Sequence, residues 1–228
     1  MPAAMADAVR RAALGALARA GALTGLAVLG AAATCAAARA QAPSTSQAFA
    51  SASGRAPARP LPQPLAELAA ELARQRSRRA AFVERRHSAL SSAPLESRGT
   101  LAFDWPDRLE RVSTAPRRET LRLSGDELSI ESGARTLRLR LTDSPVLQAF
   151  LESVRAVMAG DLDALQRHFS IELRGSTADW TLVLLPFDPA VREALRRVEV
   201  RGRRAEIARI EVLETAGDRV ETTVSTLR

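Results

Sequence analysis

The sequence predicts an α+β fold in which one long, curved antiparallel sheet is covered by helices. Three observations predict it. Extended runs of period 2 follow one another from residue 80 to residue 141 with tight-turn residues between them. A strongly apolar-faced helical segment interrupts the runs once, after Pro145, and the extended pattern then resumes to the C-terminus. Sheets of about ten strands curl or close, and helices segregated to one side of such a sheet must cover its apolar face.

The chain of 228 residues divides before any element is assigned. Arg10, Arg11 and Arg19 precede an uncharged stretch from Ala20 to Ala38, and Ala38-Arg39-Ala40 has the small-x-small form of a cleavage site. Residues 1–40 therefore read as a secretory signal, too rich in alanine and glycine for a strong membrane anchor. Cys35 lies inside that segment, so cleavage after Ala40 leaves no thiol and no disulfide. The residues before it, Ala32-Ala33-Thr34, match a lipidation motif poorly, which keeps a lipid-anchored form as an alternative. Residues 41–60, rich in Ala, Ser and Pro, read as a flexible linker, and residues 61–228 as one domain.

All 33 basic residues are arginine, and the net charge is +7. Removing residues 1–40 leaves 29 basic and 25 acidic residues, interspersed with each other and with few aromatics. That is not the footprint of a nucleic-acid-binding protein.

Within the domain, Pro62 and Pro64 stand where a helix tolerates proline. Leu65, Leu68, Ala69 and Leu72 keep helical spacing behind them, and Glu67 is expected in the first turn. After "RQRSRR" the period changes to 2, through "AAFVERRHSAL" and "LESRGTLAFDW", which places Leu101, Phe103 and Trp105 on one face. Pro106 and Asp107 follow as a hairpin corner, because proline fixes φ and donates no ladder hydrogen bond. "RLERVST", "ETLRLS", a Gly125-Asp126 turn, "ELSIES", a break at Gly133 and "RTLRLRLT" continue the meander. Ser144 is the expected cap of the central helix, whose stripe carries Val146, Leu147, Phe150, Leu151, Val154, Val157 and Met158. Gly160 stops it and Asp161 caps a short second helix. Five more extended runs follow, with a short helix or loop between Pro186 and Arg197.

Catalytic and metal-binding patterns are missing. His87 and His168 stand in different runs without further ligands at useful spacing, and no nucleophile elbow or phosphate-binding glycine loop is present. Asp161 and Asp163 fit the start of a helix better than an acid and base pair. No enzyme activity and no cofactor are expected.

Over about Leu65 to Leu227 the chain resembles the LolA-like outer-membrane lipoprotein carriers. The resemblance rests on the leading helix, Phe82, Gly99-x-Leu101, Pro106 followed by Leu109, Pro116, Gly125-Asp126, the central helical insertion, and Trp180-x-Leu182-x-Leu184-x-Pro186. It implies an incomplete barrel under a helical lid, with an apolar cavity for acyl chains. The implied protein is a periplasmic, monomeric carrier taking an acylated lipoprotein or glycolipid from an inner-membrane donor transporter to an outer-membrane acceptor. In that family an arginine before the Pro106-type proline ties down the lid, whereas this chain has Trp105 at that position.

The candidate cavity lining is Leu101, Phe103, Trp105, Leu121, Leu123, Leu137, Leu139, Leu141, Trp180, Leu182 and Leu184 from the sheet. Phe150, Leu151, Val154 and Met158 complete it from the lid. The same stripes would serve equally as ordinary core. A lipid-anchored outer-membrane receptor of the same fold is the second functional reading, and a filled barrel would suit the third, a non-transport envelope assembly factor.

Overall fold

The computed structural model describes residues 61–88, 91–143 and 145–227, apart from the side chains of Pro145, Val146, Ala149, Phe150 and Ala190. The expected signal segment with Cys35, the linker, the Ser144 cap and the Phe150 side chain lie outside the described residues.

Helix α1 (Gln63–Ala73) starts behind Pro62 and carries Pro64 in its first turn, where a missing N–H leaves no helical bond unmade. Leu65, Leu68 and Leu72 form its buried stripe. Glu67 lies past the first turn, contrary to expectation, because the helix begins at Gln63; its carboxylate accepts a hydrogen bond from the Gln63 amide at 3.2 Å.

Six strands follow: β1 (Ser77–His87), β2 (Leu95–Asp104), β3 (Arg108–Ala115), β4 (Glu119–Ser124), β5 (Glu127–Ser132) and β6 (Arg135–Arg140). Each pairs antiparallel with the next. Strand β1 begins inside the charged stretch, earlier than its hydrophobicity suggested. Arg78 explains the extension: its guanidinium donates to the carbonyl of Leu72 at 2.6 Å and to that of Ala205, tying the end of α1 to the opposite half of the sheet.

A 3-10 turn (Leu141–Asp143), α2 (Pro145–Ala159) and α3 (Leu162–Leu165) then carry the chain from β6 to the far edge. Asp161 caps α3, accepting from the amide of Ala164 at 3.0 Å. Strands β7 (Phe169–Ser176), β8 (Asp179–Pro186), β9 (Leu195–Arg203), β10 (Glu206–Glu214) and β11 (Arg219–Thr226) return as a second meander, with α4 (Pro189–Arg192) between β8 and β9. The 11-stranded sheet has the order β6-β5-β4-β3-β2-β1-β11-β10-β9-β8-β7. Its middle is the antiparallel pairing of β1 with β11, a long-range contact that no local pattern announced. Its edges, β6 and β7, stay open, and α2 and α3 run from one to the other.

Gly160 lets α2 lie close on α1. With φ at +73° it has the left-handed conformation glycine adopts freely, and a Cβ there would stand 2.5 Å from the carbonyl oxygen of Ala69.

Candidate ligand-binding interior

Alternation assigns one face of every strand to the interior, and that face has two chemically distinct regions. Phe103, Leu121, Leu123, Leu141, Leu151, Trp180, Leu182 and Leu184 are joined in one buried cluster with the α1 leucines and with Leu109, Leu128, Phe169 and Val200. Leu137, Leu139, Val154 and Met158 pack against it half-buried. Eight of the expected lining residues therefore meet in one apolar interior, and four more flank it.

Two expected residues lie elsewhere. Trp105 is 51% exposed, because the Pro106 corner ends β2 at Asp104 and carries the indole out to the rim, where the Arg76 guanidinium stacks 4.5 Å from its ring. Leu101 points inward but stands outside the cluster, flanked in register by Ala80 and by Arg111.

Polar contacts tie the cover to the sheet and to the segment after β8. Arg155 of α2 donates to the carbonyl of Gly125 in the β4–β5 turn at 3.0 Å. Glu152 of α2 lies 3.6 Å from His168 Nε2, whose Nδ1 is 3.0 Å from Asp188 beyond β8. Gln148 steadies Glu152 with a hydrogen bond of 2.9 Å. The cover is thus held from its own arginine and through His168, and Trp105 takes no part in these ties.

The second region was not anticipated. Glu84, Ser97, Arg111, Ser113 and Glu119 are all buried on the inward face of β1 to β4. Arg111 pairs with Glu84 at 3.2 Å, donates to Ser113 at 2.9 Å, and lies 4.4 Å over the Phe82 ring. Thr222 of β11 approaches the other oxygen of Glu84 at 3.3 Å. Beside this group Arg86 bridges Glu214 at 3.1 Å and Asp218 at 2.8 Å. Burial pushes Glu84 up to about 7 despite the pull of Arg111, and it raises Glu119 and Glu214 to about 7 as well. A signal did exist in the sequence: Glu84 shares the parity of Phe82, and Arg111 that of Leu109, so each charge stood at an inward position.

Among the described residues no group of three or more metal-ligating side chains is assembled, and no helix is long and apolar enough to cross a membrane. What the fold and interior define is a half-barrel with a helical cover over an apolar core.

Residues 64–226 match the family described as outer membrane lipoprotein carrier protein LolA-like, and the chain belongs to that family. No curated protein matches it. Among solved structures, a LolA superfamily protein from Nitrosomonas europaea is 15% identical, over 73% of this chain and 93% of its own, with a TM-score of 0.42. A putative outer membrane lipoprotein-sorting protein domain from Vibrio parahaemolyticus is 13% identical, over 72% and 91%, with a TM-score of 0.37. The Mycobacterium tuberculosis lipoprotein LppX is 10% identical, over 69% and 93%, with a TM-score of 0.34.

Proposed function

We propose that this protein is a non-enzymatic carrier of the bacterial envelope that binds the acyl chains of a lipoprotein or (glyco)lipid between its sheet and α2. It would then move them through the periplasm from an inner-membrane donor to an outer-membrane acceptor. The observation that carries this reading is the apolar interior of a LolA-like chain under a helical cover. Leaving a long acyl chain in water costs on the order of 10 kcal/mol, at about 0.8 kcal/mol per methylene, so transfer needs a protein that hides the chain. Phe103, Leu121, Leu123, Leu141, Leu151, Trp180, Leu182 and Leu184 would line the acyl site. Leu137, Leu139, Val154 and Met158 would border it, with Leu101 and Trp105 towards its entrance and Phe150 on the cover.

Organic extraction of protein purified from the periplasm, followed by mass spectrometry, should recover acyl species, and the delipidated protein should take up a fluorescent fatty-acid probe. Empty preparations that also reject the probe would overturn the proposal. Opening the cover should govern the rate of uptake. The double variant Arg155→Ala with Glu152→Ala removes the contacts with Gly125 and His168 and is expected to take up the probe about tenfold faster, a change worth ~1.4 kcal/mol. An unchanged rate would place the entrance away from α2.

The close packing of Phe103, Leu123 and Trp180, each 1% exposed or less, favours a second reading, an envelope assembly factor that binds protein instead of lipid. Under it, the probe is rejected and a specific protein partner is captured without lipid.

A further inference from the structure

The sheet has an opening in its wall. Strands β10 and β11 pair only from Arg209↔Thr223 to Leu213↔Arg219. Beyond that point β11 continues along β1 as far as Thr226↔Ala80, while residues Glu206 and Ile207 of β10 follow β9. Ala208 has a register partner on neither side, because the β9–β10 register shifts between Ile207 and Arg209. The parted strands leave a hollow of about 270 Å³, lined by Arg203, Glu206, Ile207, Ala208, Val224, Ser225 and Thr226. Ile207 and Val224 belong to the inward face, by their register with Gly202 and Phe82, and Ser225 to the outward face, opposite Ala81. The hollow is therefore bordered by residues of both faces of the sheet.

We propose that this opening and its rim dock an extended, acidic peptide segment of a partner protein, which adds as a strand along the parted edges of β10 and β11. Three observations choose this occupant. Backbone N–H and C=O groups of residues 206–208 and 224–226 that would have paired across the gap have no ladder partner there, and a strand satisfies such groups where an acyl chain cannot. The rim is basic in its available charge. Arg79 and Arg203 are 66% and 77% exposed, and their contacts with the exposed Asp104 and Asp179, at 4.0 and 3.5 Å, bind them weakly. Arg204 borders the same corner, against Glu206 as the single carboxylate in the lining. Leu227, 48% exposed, stands just past Thr226, so a large apolar anchor flanks the slot. The docking face is separate from the lid and does not depend on what the interior carries.

The test uses the full domain and a fluorescein-labelled peptide of alternating valine and glutamate, followed by anisotropy. Its comparators are an alternating valine and lysine peptide and an acidic peptide with prolines at alternate positions, which cannot pair as a strand. The acidic extended peptide should bind, the other two should not, and sodium chloride should weaken the binding. The surface variant Arg79→Glu with Arg203→Glu, and separately Ala208→Pro, should each raise Kd about tenfold or more. Circular dichroism and the melting temperature show that each variant is folded. The charge variant keeps the test decisive if the proline variant does not fold. Absence of binding by the acidic peptide, equal binding by the basic or proline-interrupted peptide, or insensitivity to the charge variant would each overturn the proposal. So would concentration-dependent self-association that the peptide displaces, which would make a second copy of the chain the occupant. Fatty-acid uptake is read separately, so its failure leaves this result intact.

Discussion

Replacing Arg111 with methionine is expected to lower folding stability by about 3–5 kcal/mol at pH 8 and by distinctly less at pH 5. Glu84 is 2% exposed, and Arg111 at 3.2 Å is its ion-pair partner. Methionine keeps an unbranched apolar stem near the Phe82 ring, so the loss reports the stranded carboxylate more than an empty space. The dependence on pH follows from proton binding. Glu84, Glu119 and Glu214 are raised from the ordinary value of 4.5 to about 7 by burial, so between those values the folded chain holds more protons than the unfolded one. Their contribution to stability is fully present below pH 4.5 and is lost as pH rises through 7. Without Arg111 the Glu84 carboxyl rises further, the falling window extends above pH 7, and wild type and variant diverge as pH increases. Urea unfolding at pH 5, 6, 7 and 8 measures this. The double variant with Glu84→Gln should recover much of the loss at pH 8, because an amide needs no counter-charge. A wild-type-to-variant difference that is flat across the range would mean that Glu84 is not the group left unpaired.

That network also marks the limit of what local sequence could show. The strands, the Pro106 and Gly125 corners, the Asp161 cap and the apolar-faced α2 each announce themselves within a few residues, because turn chemistry and side-chain parity are local properties. The pairing of β1 with β11 joins residues far apart in the chain, and neither strand encodes its neighbour. Eight of the residues singled out share one buried cluster because apolar side chains at alternating strand positions converge on one face, against which the apolar stripe of α2 packs. Trp105 misled for an instructive reason: its parity matched Phe103, but parity holds only while the strand lasts, and the strand ends one residue earlier. Charges at inward parity in β1 and β3 were visible and passed over, since an arginine or glutamate in a strand ordinarily marks the wet face. The register sets Arg111 in line with Leu101 and Ala80, two inward positions along from Ser97 and Glu84, and the long arginine side chain crosses the Phe82 ring to reach the carboxylate.

Gly99→Ala is expected to destabilise the fold by about 3 kcal/mol, the upper range for an overpacked position, although it adds a single methyl group. A Cβ at residue 99 would stand 1.9 Å from the carbonyl oxygen of Val112, 2.8 Å from its carbon and 2.9 Å from the Cα of Ser113. All three are backbone atoms of β3, so no side chain can turn away and the strand itself must move. The site coincides with the register shift between Arg98 and Gly99, where β2 and β3 come too close for any side chain. Moving β3 there also displaces Ser113, and with it the hydroxyl that receives Arg111 at 2.9 Å. The variant should therefore lose stability and also perturb the buried charges, which shows as an altered slope of stability between pH 5 and pH 7. Gly133→Asn separates this steric cause from loss of backbone freedom. Gly133 has φ at +60° with nothing within 4 Å of its Cβ position, and asparagine tolerates that conformation, so a change well under 1 kcal/mol is expected. If Gly99→Ala proved as mild as Gly133→Asn in urea unfolding, the close approach of β3 at this bulge would not be what holds β2, β3 and the buried network in register.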